Sequence, residues 1–206
     1  MPIAINGSGS ITGLSVGGLP DGSVQIADLA TTGTASSSTF LRGDGAFAAA
    51  GGGKILQVVQ TIKTDTASTS STSFGDISGM SLSITPASSS NKVFVETRFK
   101  AVSGDVMYIT LTTGDNTPII QATGSGYTEM PSISIYSGGN SSGESWYNGA
   151  MDTVCKLHEP NTTNAVTYKL RWRVNSGTGY FNRNMDMGGQ YNVAVASTIT
   201  AFEVAA

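Results

Sequence analysis

The sequence predicts an all-β chain: an antiparallel, jelly-roll-like β-sandwich head preceded by an extended N-terminal segment. Three observations predict it. From Lys54 onward, apolar residues recur with period two in short runs. Polar clusters such as TTGDN, SGGNSSG, EPNTTN and NSGTG separate those runs as turns. No segment has helical periodicity beyond a turn or two in LPDGSVQIADLA, where Pro20 and Asp21 are start signals.

The strands follow in order. ILQVVQTIK (55–63) opens the head. MSLSIT (80–85) sets Met80, Leu82 and Ile84 on one face and stops at Pro86, where PASSSN turns the chain. KVFVETRFK (92–100) sets Val93, Val95, Thr97 and Phe99 together. VMYITLTT (106–113), TPIIQA and PSISIYS come next. VTYKLRWRV (166–174) alternates most cleanly: Val166, Tyr168, Leu170, Trp172 and Val174 face one way, and Thr167, Lys169, Arg171 and Arg173 the other. NVAVASTITAFEV (192–204) closes the chain. Eight or more short strands over about 150 residues make one sandwich.

Residues 1–53 read differently. Ile3, Ile5, Ile11, Leu14, Val16 and Leu19 stand singly among Gly, Ser, Thr and Asp, too sparse to bury one another within one chain. About fifty such residues do not offset their own ordering entropy, so a sister chain or a larger assembly is expected to order them. Gly51–Gly53 reads as a hinge into the head (54–206), and the small residues of AFAAAGGG allow several chains to pack around an axis.

Composition excludes several functions. Charged residues are only 12%, while 52 of 206 residues are Ser or Thr, so the polar surface is hydroxyl and amide more than ionic. A net charge of -3 gives no basic footprint for nucleic acid. No apolar run is long enough to insert in a membrane, and MPIAINGSGSITG lacks the form of a signal peptide. Cys155 is the single cysteine, which rules out an internal disulfide. Cys155, His158 and Glu159 cluster in TVCKLHEP, but one histidine supplies too few groups for a metal site or an activated nucleophile. The expectation there is an alternating strand with a buried thiol, and no cofactor or metal.

GLPDGSVQIADLA, ASSSTFLRGDGAFA, the run from KILQVVQ to VFVETRF, and the ending STITAFEVA resemble segments of fibre proteins of tailed bacteriophages, especially marine and cyanobacterial ones. The resemblance touches both ends and the middle, about half the chain, and is weakest over residues 101–190. It implies a virion structural protein on the outside of the particle: a fibre component, homotrimeric, tail-borne by default, contacting other virion proteins through its N-terminus. Ile3, Ile5, Ile11, Leu14, Val16 and Leu19 then become attachment candidates. The alternative is a capsid decoration or head-fibre protein.

Within that frame, aromatic residues in Gly- and Ser-rich loops are receptor-contact candidates: Tyr127, Trp146, Tyr147, Tyr180 and Phe181. Rings stack on sugar faces, and rigid sandwiches present loops. The competing place for Trp146 and Phe181 is the core or a subunit interface. Lys169, Arg171 and Arg173 form a positive row suited to acidic glycan or phosphate-bearing lipopolysaccharide, against which stands cross-strand pairing with Asp or Glu. Arg42-Gly43-Asp44 reads as a turn rather than an adhesion signal. A polysaccharide-cleaving head would need two carboxylates in one cleft. Asp105, Asp115, Glu129, Glu144, Asp152, Glu159 and Asp186 are available, but nothing in the sequence pairs them, so no catalytic residue is expected.

Overall fold

A computed structural model describes residues 4–5, 11–12, 31–49, 54–124, 131–135, 151–185 and 193–206. The chain divides into two compact units, Met1–Gly52 and Gly53–Ala206, with the division inside the Gly51–Gly53 run.

In the first unit, β1 (Ala4–Ile5) pairs antiparallel with β2 (Ile11–Thr12). Further on, β3 (Thr39–Leu41) and β4 (Phe47–Ala49) form a hairpin. Thr32 joins its outer side, donating its N–H to Gly45 O at 3.2 Å and accepting from Phe47 N–H at 2.7 Å. The helical turn read in LPDGSVQIADLA lies outside the described residues, as do Ile3, Leu14, Val16 and Leu19.

The second unit is antiparallel and all-β among the described residues. Its first sheet orders β5 (Ile55–Lys63), β14 (Ser197–Val204), β8 (Lys92–Ser103), β13 (Gly179–Phe181) and β6 (Ala67–Thr69), with β11 (Met151–His158) also on β8. The second orders β10 (Ile133–Ile135), β9 (Met107–Thr113), β12 (Val166–Val174) and β7 (Gly75–Ile84). The pairing is that of a sandwich, the coarser of the two architectures anticipated. Details differ from the sequence reading: β6 has no counterpart in it, and β7 starts at Gly75 rather than Met80. TPIIQA is irregular apart from a bridge between Thr112 and Pro118, consistent with proline's missing donor. The GYF of the expected loop SGTGYFNRN is a short strand, β13.

The core is shared by both layers. Met80, Leu82, Ile84, Leu111, Tyr168 and Trp172 come from one sheet and Val93, Val95, Phe99, Ile199 and Ala201 from the other. The Phe181 ring stacks on Phe99 at 5.7 Å between centroids and meets Trp172 edge-on at 5.9 Å. Such pairs contribute about 0.5–1.5 kcal/mol beyond their burial.

A bulge makes β7 fit. Opposite it, β12 advances from Lys169 to Arg171 while β7 steps from Ser81 to Asp76. The extra residues let Ile77 and Met80 both face inward although they are three apart, which a regular strand forbids. Gly79 takes φ +80° there, a conformation that costs a residue with a Cβ, and it rests on the buried stem of Lys63.

One buried carboxylate fastens an end of the sandwich. Glu203 is 1% exposed and accepts from Gln57 Nε2 at 2.7 Å, Ala87 N–H at 2.7 Å and Asn91 Nδ2 at 2.6 Å. It thereby ties β14 to β5 and to the PASSSN turn. Burial pushes its carboxyl up, but the donors together outweigh burial and leave it below the usual value.

Glu203→Gln keeps the shape and removes the charge. It is expected to cost about 1.5–3 kcal/mol, the worth of hydrogen bonds to a charged group, and to lower Tm in calorimetry. The folded value lies below the unfolded one of 4.5, so this contribution is full above pH 4.5 and fades as pH falls from there through the folded value. The Gln variant should lack that part of the acid loss.

Candidate functional site

The outward face of β12 is the most developed polar surface among the described residues. Alternation that buries Tyr168, Leu170 and Trp172 turns Thr167, Lys169, Arg171 and Arg173 outward. Register then decides their neighbours. Lys169 Nζ and Arg171 Nε donate to the two oxygens of Asp76 on β7, each at 2.9 Å. Arg171 Nη2 also donates to Phe74 O at 2.7 Å. Arg173 lies over the Tyr108 ring at 4.2 Å and 5.4 Å from that of Phe74. Hydrogen bonds from Lys169, and behind it Arg171, hold Asp76 below the ordinary carboxylate range. The row is therefore cross-strand paired, with Lys169 and Arg171 sharing the one carboxylate of Asp76.

Beside the row the β7 bulge opens a depression of about 570 Å³ lined by Asp76, Ser78, Gly79, Ser81, Thr167 and Lys169. A second of about 340 Å³, lined among others by Thr113, Asp115, His158 and Pro160, shares Gly114 and Thr167 with the first. The first is a polar trough on β7 and β12, with the Ser83 and Thr167 hydroxyls 2.7 Å apart at its side, and the second adjoins it at Gly114 and Thr167. Its groups suit polyhydroxylated or anionic ligands: a carboxylate and hydroxyls for sugar hydroxyls, and Lys169, with Arg171 beside it, for phosphate.

The other candidates fall elsewhere. Tyr127, Trp146 and Tyr147 lie outside the described residues. Tyr180 is half-buried on the other sheet, with the Arg183 guanidinium 4.3 Å from its ring centre. Phe181 is corrected: it is fully buried, because β13 alternates and Phe181 takes the core side, so it offers no ring to a receptor. Sequence reasoning did not name Asp76, Phe74 or Tyr108. Tyr108 shows as an outward position in the alternation of VMYITLTT, whereas nothing local marks Asp76, 93 residues from Lys169.

Arg42-Gly43-Asp44 occupies the tip of the β3–β4 hairpin. Arg42 N–H donates to Ala46 O at 2.9 Å, Gly45 N–H donates to Arg42 O at 3.0 Å, and Gly45 has φ +77°. Asp44 Oδ1 accepts from Ala46 N–H at 3.1 Å, and the carboxylate faces Arg42 at 3.4 Å. The triplet's charges are engaged with their own turn.

Cys155 is also corrected. It is exposed, because β11 turns Val154 inward and its neighbour outward. His158 Nδ1 instead meets Tyr168 Oη at 2.8 Å, bridging the two sheets. Burial pushes Tyr168 up to about 12 and pulls His158 down. Glu159 pairs with Lys92 at 2.6 Å. No group of three metal-ligating side chains occurs among the described residues.

Asp105 accepts from Ser176, Val106 and Asn175, and Asp115 from Thr113 and Thr117, which holds both low. Burial pushes Asp152 up. Glu129, Glu144 and Asp186 lie outside the described residues.

Asp76→Asn removes the carboxylate shared by Lys169 and Arg171. Because Asp76 is half exposed, the expected cost is about 0.5–1 kcal/mol, read as a lower urea midpoint, and added salt should narrow the difference from wild type.

No protein-family model matches this sequence, and no curated protein matches it.

Proposed function

We propose that this chain is a non-enzymatic structural protein of a tailed-phage virion: a homotrimeric fibre component on the particle's outer surface, tail-borne, whose sandwich recognises the host. Residues 1–53 attach it to other virion proteins, and the head meets glycan or lipopolysaccharide. The observation that carries the recognition part is the trough on β7 and β12. It sets Lys169 and hydroxyls outward on a rigid sheet, with Arg171 next along the same strand, so that a ligand meets groups already held in place. The likeness of TFLRGDG and of both chain ends to phage fibre segments supports the virion part. A non-catalytic role agrees with carboxylates such as Asp76, Asp105 and Asp115, each committed to its own donors.

The test is adsorption. Labelled protein should bind host cells or immobilised phosphate-bearing lipopolysaccharide, and Lys169→Gln/Arg171→Gln should weaken binding by about tenfold or more, about 1.4 kcal/mol, while Tm falls only about as far as in Asp76→Asn, the loss of the same ion pairs. Equal binding by a folded variant would remove the trough from recognition. Immunogold labelling of particles separates tail from capsid, and a capsid location would favour a head-fibre or decoration role.

A further inference from the structure

The other sheet carries the opposite chemistry on its outward face. There Val58 stands opposite Phe202, Phe202 opposite Phe94, and Phe94 opposite Leu157. This is one apolar row across four strands: β5, β14, β8 and β11. The Phe94 and Phe202 rings lie 6.1 Å apart. Val58 is 55% exposed and Leu157 45%, and on the same face Ile62 is 56% exposed. In a face that turns to water, these positions are ordinarily polar. The corresponding positions on β7 and β12 are indeed Ser, Thr, Lys and Arg.

We propose that a second copy of this chain packs against this face, sheet on sheet. Two observations favour a copy over an unlike partner. Four strands about 4.8 Å apart and about eight residues long give a face of roughly 500 Å². Two copies together then bury about 1,000 Å², where specific interfaces begin. Finally, β5 borders the face as an edge strand, and ILQVVQTI has neither charge nor proline, the usual guards against association. Among the described residues its second edge pairs with no strand.

This rests on the self-association in the proposed function and names its surface; host recognition is independent of it. The chain brings its own reporter, because Cys155 points out of the same face opposite Glu96.

Sedimentation of the full chain and the rate of Cys155 alkylation together test the proposal. The wild type should exceed 21.1 kDa and react slowly. Val58→Lys/Leu157→Lys should sediment at 21.1 kDa with Cys155 reacting about tenfold faster or more, while Ser83→Lys, outward on the other sheet, keeps the wild-type mass. If the lysine pair does not fold, Val58→Thr/Leu157→Thr should give the same change at lower protein concentration. A wild type of 21.1 kDa at about 100 μM overturns the proposal. If its thiol is nonetheless slow, a segment of the same chain covers the face. An oligomer that survives in the folded variants also overturns it, placing the interface elsewhere and leaving host recognition untouched.

Discussion

The register of β8 is the constraint on which the rest of the head depends. This strand pairs with β14, β11 and β13, and its second half is buried on both faces. Its present register sends Val93, Val95, Thr97 and Phe99 inward and Phe94, Glu96 and Arg98 outward. Because the side-chain period is two, a slip by one residue would exchange the sets and force Glu96 and Arg98 into the core. The burial cost of those two charges opposes the slip far more strongly than any single turn could. With β8 fixed, β14 follows, and Glu203 reaches the Asn91 side chain and the Ala87 amide beside it.

The sandwich thus has two outer faces of different chemistry. One carries hydroxyls, cations and a shared carboxylate beside a backbone bulge; the other carries a row of aromatic and aliphatic side chains. The difference follows from which residues occupy the outward half of each alternation, with the core equally well served by both sheets. A polar face of this kind suits ligands that keep some of their water, and an apolar one suits a surface that leaves water altogether.

The strands were legible because burial repeats every second residue. In VTYKLRWRV the alternation alone sorts Tyr168, Leu170 and Trp172 from Lys169, Arg171 and Arg173, and the structure keeps that sorting. Where alternation was interrupted, legibility failed. Ile77 and Met80 share a face only through the bulge, and GYF looked like loop because three residues between Thr178 and Asn182 carry no period. The thiol of Cys155 was misplaced because hydropathy gives a residue's preference, whereas strand parity gives its side.

The sequence by itself determined the class of fold and the inward set of most long strands, because these depend on patterns within a few residues. Only the tertiary structure decided the partners. Asp76 meets Lys169 and Arg171, His158 meets Tyr168, and Phe94 lines up with Phe202, Val58 and Leu157. Apart from His158 and Tyr168, these residues come from distant strands, and strand order and register, which no local pattern encodes, bring them together.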